Sequence, residues 1–217
     1  MKTLSMILIA VMVSMGLMAQ DKYQEAMQAG LEKFGSASGV NELQAAALHF
    51  ERIAEVETEE WLPAYYASLI YCIIAFRTED VQEKEKFVRQ AQTHIDEAMK
   101  ATPDESEVHT LQGMVYQALI GVDPASNGQI YGSKANGSFQ TAIRLNSENP
   151  RPYYLQAVSL LYTPEQYGGG KKAALPLFEK AMGLFAKESP ENSLYPDWGK
   201  EDCERNLKVC QEDQAGL

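Results

Sequence analysis

The stretch of this sequence that comes nearest to a catalytic motif is Gly168-Gly169-Gly170-Lys171-Lys172, because glycines can present backbone N–H groups to a phosphate while a lysine meets its charge. A phosphate-binding loop also needs glycine where Glu165 stands and Ser or Thr where Lys172 stands. The pattern fails at both places, and the glycines are read as a tight lead into a helix. The three histidines, His49, His94 and His109, each lack a second ligand at metal-binding spacing, and no H-E-x-x-H occurs. Asp96 and Glu97 lie close to His94 in sequence, yet residues so close on a helix point in different directions. Cys72, Cys203 and Cys210 are odd in number, so one chain cannot pair them all. On a helix Cys203 and Cys210 stand about 10 Å apart along the axis, beyond the reach of a disulfide. All three are expected to be buried as small apolar residues, a disulfide from Cys72 or between chains being the alternative. Asn136-Gly137-Ser138 matches a glycosylation acceptor, which matters only in a eukaryotic secretory route. No catalytic residue, cofactor site or metal site is assigned.

Charge and composition narrow the remaining classes. The chain has 217 residues, 45% apolar and 23% charged, a globular composition. Lys2 is the only charge before Asp21, and Leu4 to Met18 is almost wholly apolar, so residues 1–19 read as a secretory signal. Cleavage is expected after Ala19, with Gly16 as the alternative, leaving residues 20–217 as the folded domain in the periplasm or secreted. Loss of residues 1–19 removes Lys2 and no acid, so 19 basic against 30 acidic residues becomes 18 against 30, a net charge of −12. That sign repels phosphate backbones and anionic headgroups, which argues against nucleic acid as a partner and against a membrane face. No membrane insertion is expected after signal cleavage, because Trp61 to Phe76, the most apolar later run, is shorter than 18 residues and carries Tyr65, Tyr66, Ser68 and Tyr71.

The elements that must position any site are helices. Tyr23, Met27, Leu31 and Phe34 recur at helical spacing before a Gly-Ser breaker run, and Leu43, Ala46, Phe50 and Ile53 mark the next helix. Trp61 to Phe76 is apolar nearly all round and is read as the centre of the core. Phe87, Val88, Ala91, Ile95 and Ala98 define another helix, and Val108, Leu111, Val115 and Leu119 the one after it. The run GVDPASNGQIYGSKANG is read as a long connection, since its Gly, Pro, Asn and Ser content gives it no core face. Pro150 to Met182 forms two amphipathic helices around the triple glycine. Ser189 to Trp198 is read as irregular, and a last helix follows from about Gly199 to Gln214. No alternation of period two appears, and the fold is expected to be all-α.

These helices repeat. Alanines at Ala46, Ala91, Ala135 and Ala174 are spaced by 45, 44 and 39 residues, each followed four later by Phe50, Ile95, Phe139 or Phe178 and seven later by Ile53, Ala98, Ala142 or Ala181. In the preceding helices the small residues Ser68, Gly113 and Ala157 are spaced by 45 and 44. The pattern resembles the tetratricopeptide repeat, whose helix pair reads W-x-x-L-G-x-x-Y then A-x-x-x-F-x-x-A and a proline. The details DPASNGQIYG, NPRPYYLQA, YTPEQYGGGKKA and PDWGKE are similar to those of exported tetratricopeptide proteins of Bacteroidetes. The resemblance implies a right-handed superhelical array of about four helix hairpins plus a C-terminal helix. Tyr71 to Ala91, Tyr116 to Ala135 and Leu160 to Ala174 span 20, 19 and 14 residues, longer than the family's spacing, so each hairpin is expected to carry an extended internal loop. The first repeat's leading helix fits poorly, as terminal repeats do.

By the family's geometry the inner helices line a concave groove. The resemblance places Tyr65, Leu69 and Cys72, then Thr110, Met114 and Gln117, then Tyr154, Val158 and Leu161 on it, with Arg151 as the one basic residue nearby. Aromatic and aliphatic surface of this kind suits a peptide or amphipathic helix. The expected function is a non-catalytic scaffold of the cell envelope with a protein or peptide partner. The alternative is an accessory ligand-binding subunit of an exported enzyme or transporter.

Overall fold

The computed structural model describes residues 20–189 and 192–212, all of whose regular structure is helical. The expected signal segment lies outside the described residues. Helix α1 covers residues 20–36, followed by α2 (Val40–Val56), α3 (Trp61–Arg77), α4 (Val81–Ala101), α5 (Ser106–Ile120), α6 (Pro124–Leu145), α7 (Pro150–Tyr162), α8 (Lys171–Phe185) and α9 (Lys200–Glu212). Four starts are fixed by a side chain that accepts a backbone N–H left unpaired by the first turn: Asp80 from Glu83, Glu105 from Glu107, Asp123 from Ser126 and Asn149 from Arg151. Pro124 and Pro150 sit in first turns, where no N–H is missed.

Helices pack in sequence order as hairpins, α3 on α4, α5 on α6 and α7 on α8, while α3, α5 and α7 lie side by side and α9 closes on α8. The repeated alanines are the close-packing points. Ala46, Ala91, Ala135 and Ala174 are all buried, and so are Phe50, Ile95, Phe139 and Phe178 one turn on. The small residues of the leading helices meet these positions directly. Ser68 donates its hydroxyl hydrogen bond to the Ala91 carbonyl at 2.8 Å, and a Cβ on Gly113 would stand 2.2 Å from the Phe139 ring. Gly30 faces Phe50 in the same way, with 2.7 Å to an added Cβ. The first hairpin therefore follows the rule that its sequence obscured.

The expected extended loops are a correction. Only residues 78–80 separate α3 from α4, and only residues 121–123 separate α5 from α6. The extra length is helix, 21 residues in α4 and 22 in α6. The polar run read as a connection forms the first half of α6 because its neighbours hold it. Asp123 caps it, Asn127 donates to the Leu119 carbonyl, and Tyr131 packs on Tyr116 with the Lys134 ammonium over both rings. A true non-helical connection remains between α7 and α8. There a short 3-10 turn, Glu165–Tyr167, leads to Gly168 and Gly170 at φ of 83° and 89°, and the Gly170 N–H bonds back to the Leu160 carbonyl at 2.8 Å.

If small-against-large packing sets the hairpins, Gly113→Ala should cost about 1–3 kcal/mol in urea unfolding, since the buried Phe139 ring has nowhere to go. Gly137→Ala, an exposed helical site with nothing within 4 Å of the added Cβ, should instead gain about 0.5–1 kcal/mol. Equal effects at the two glycines would refute the packing rule.

Candidate functional site

The inner helices α3, α5 and α7 present the face on which a groove was expected, and the chain itself covers half of it. Residues 192–198 cross this face as a strap. The Tyr66 hydroxyl donates to the Leu194 carbonyl at 2.8 Å, the Tyr195 hydroxyl to Glu105 at 2.8 Å, and the Trp198 indole N–H to the Tyr65 oxygen at 2.8 Å. Trp61 stands edge-on to both Tyr65 and Tyr195, with ring centroids 5.3 and 5.6 Å apart.

Arg151 holds this arrangement together although its side chain is only 1% exposed. One terminal nitrogen donates to Glu107 at 3.1 Å and to Glu188, and the other reaches the Pro196 carbonyl at 2.6 Å. The guanidinium also lies over Phe185 and Trp198, 5.7 and 5.5 Å from their ring centres. Glu107 accepts in addition from the Tyr65 hydroxyl at 3.0 Å. Burial pushes the Glu107 carboxyl above the usual carboxylate range, against the pull of Arg151 and the Tyr65 hydrogen bond. Burial opposes the charge on Arg151, yet Glu107, Tyr65 and Glu188 together hold its proton more firmly than usual.

The expected groove residues therefore divide. Tyr65, Leu69, Cys72, Thr110 and Arg151 are interior, at 0–1% exposure, because the strap and the neighbouring helices close over them. Met114 and Tyr154 are buried at 8%, Tyr154 against Phe178 and Gly199. Gln117, Val158 and Leu161 stay partly exposed, on the half that the strap leaves uncovered. Gln117 bridges the helices by donating to the Leu155 carbonyl and the Ser159 hydroxyl. Tyr162, at the end of α7, is 78% exposed, and Phe76, at the end of α3, is 49% exposed. The sequence reading missed Glu107, Glu188 and Trp198, whose only advance signal was one buried-type tryptophan following a proline in a polar segment.

The other candidates are absorbed by structure. His49 bonds the Ala26 carbonyl and His109 the Pro103 carbonyl; His94 lies between Glu51 and Glu97, which corrects the expectation for Glu97, since residues three apart share a helix face and these two bond at 2.9 Å. No group of three metal-binding side chains forms among the described residues. All three cysteines are buried. A cleft of about 440 Å³ on the outer side, lined by Glu51, Glu55, Glu60, Glu97 and Lys100, is acidic and unsuited to anions. No described helix is long and apolar enough to cross a membrane.

No protein-family model matches the chain, and no curated protein does. Among solved structures, the HusA haemophore from Porphyromonas gingivalis is 34% identical over 88% of this chain and 94% of its own, with a TM-score of 0.79. A thermophilic TPR protein from Thermus thermophilus is 16% identical over 88% of this chain and 99% of its own, with a TM-score of 0.47.

The buried charges give a pH signature. Because burial raises the folded-state value for Glu107 above its unfolded one, the stability contributed by this group is present below the ordinary carboxylate range and is lost as pH rises through the folded value. Wild type should therefore lose stability relative to Glu107→Gln as pH rises above the ordinary carboxylate range, read in paired urea melts. A difference that grows in the opposite direction would refute the assignment. Arg151→Leu, which strands Glu107 without its ion partner, should cost about 3–5 kcal/mol.

Proposed function

The chain belongs to the family of the HusA haemophore, and from that kinship we propose that it is a non-catalytic, exported binding protein for haem or a closely related tetrapyrrole. The observation that carries the reading is 34% identity sustained over 94% of the haemophore. A haem-type ligand is planar and mostly apolar with carboxylates at one edge, so it asks for an apolar wall open to solvent along one side. The uncovered half of the inner face offers such a wall, with Gln117, Val158 and Leu161 partly exposed above a floor that includes Met114.

The strap also weighs between the two readings of the fold. An extended peptide lying along the whole inner face would have to displace residues 192–198 and leave Arg151, Glu107 and Tyr65 without partners, at a cost of several kcal/mol. A small ligand on the uncovered half disturbs none of these bonds. The small-ligand reading is favoured on that ground over a peptide-binding scaffold.

Titration of the mature chain with haemin tests the proposal. A saturable shift of the Soret band is expected, accompanied by quenching of Trp61 and Trp198. Absorbance that rises linearly, as it does with an unrelated acidic helical protein, would dismiss the reading.

A further inference from the structure

The three histidines meet different kinds of neighbour, and His94 is the one set between two acids. His49 faces the Ala26 carbonyl through Nε2 and the Lys33 ammonium through Nδ1, while His109 meets the Pro103 carbonyl. His94, on α4, has Nε2 2.9 Å from Glu51 of α2 and Nδ1 2.9 Å from Glu97 one turn along its own helix. A carboxylate only accepts, whereas a neutral imidazole offers one N–H and one lone pair. Both contacts are hydrogen bonds only when the ring carries two protons. In the neutral ring, one lone pair confronts a carboxylate oxygen.

The surroundings keep the ring in this position. It lies on the Tyr71 ring of α3, with an interplanar angle of 11° and centroids 5.9 Å apart, and the His94 side chain is only 14% exposed. The Tyr71 hydroxyl donates to the same Glu51 oxygen at 2.8 Å, which fixes the acceptor too. His94 thereby joins α2, α3 and α4. The outer cleft of about 440 Å³ is lined by His94, Glu51 and Glu97 together with Glu55 of α2, Glu60 at the head of α3 and Lys100 of α4. A cationic ring therefore meets mostly opposite charge there.

We propose that His94 is a proton-operated clasp. With both nitrogens protonated it ties α2 to α4 through Glu51 and Glu97, and on losing one proton it releases one of the two carboxylates and loosens the wall of the outer cleft. The stabilising contact is complete at acid pH and is lost as pH rises through the imidazole range. The clasp is independent of the haem-type reading, because this cleft lies on the outer side of the hairpins.

Melting temperatures of the full mature chain, read from about pH 5 to about pH 8, test it. Glu107 brings a pH dependence of its own, which cancels when each variant is compared with wild type. Wild type should exceed His94→Gln most at the acid end, and the gap should narrow by on the order of 2–4 °C towards the alkaline end. Glu97→Gln should show the same trend, because its amide can accept from the protonated nitrogen and donate to the bare one. Glu85→Gln, an exposed acid of the same helix paired with Arg89, should keep a constant gap. If His94→Gln fails to fold, Glu97→Gln carries the test, since the Glu97 side chain is 47% exposed. A gap for His94→Gln that is constant or grows with pH would overturn the clasp, and a constant gap for Glu97→Gln would refute its second carboxylate.

Discussion

A guanidinium removed from water cannot be left without partners, and Arg151 is removed from water almost completely. Its two terminal nitrogens are met from three places far apart in sequence, Glu107 at the start of α5, Glu188 after α8 and the Pro196 carbonyl in the strap, while the buried Nε–H makes no hydrogen bond. Meeting them draws the segment after α8 back across α5 and α3. The strap's other bonds, to Tyr65, Tyr66 and Glu105, follow from that course. One buried charge thus decides which part of the inner face is closed and which part stays open to solvent.

The face itself exists because each hairpin solves the same packing problem. A leading helix brings Gly30, Ser68, Gly113 or Ala157 close to its partner, and the partner supplies Phe50, Ile95, Phe139 or Phe178 to fill the space beyond. Lengthening the helices leaves that arrangement intact, since the extra turns extend past the close-approach points towards the hairpin tips. That is how α4 and α6 absorb the additional residues without disturbing the side-by-side order of α3, α5 and α7.

The helical order was legible in the sequence wherever small and large residues recurred at fixed spacing, as in Ala91 with Ile95 and Ala135 with Phe139. The first half of α6 was illegible because its residues have little apolar face. Its helicity comes from the Asp123 cap and from Tyr116 and Lys134, which are tertiary context and not local pattern. The site was legible only in part. The tetratricopeptide resemblance put Gln117, Val158 and Leu161 on an inner face, and they are partly exposed here, but a repeat pattern carries no information about a segment thirty or more residues later that covers Tyr65 and Arg151. A lone arginine in an apolar helix was noticed, while its two carboxylates could not be chosen among 30 acids without coordinates.

The strap also changes how the molecule holds itself together in time. In a simple repeat array each unit touches only its neighbours, so an end can open while the rest stays folded. Here the Leu194 carbonyl is tied to Tyr66 and the Trp198 indole to Tyr65, across separations of 128 and 133 residues. Opening the last hairpin therefore breaks bonds of the second, and the two share one unfolding free energy. Such a chain also cannot complete its second hairpin until residue 198 has emerged from synthesis.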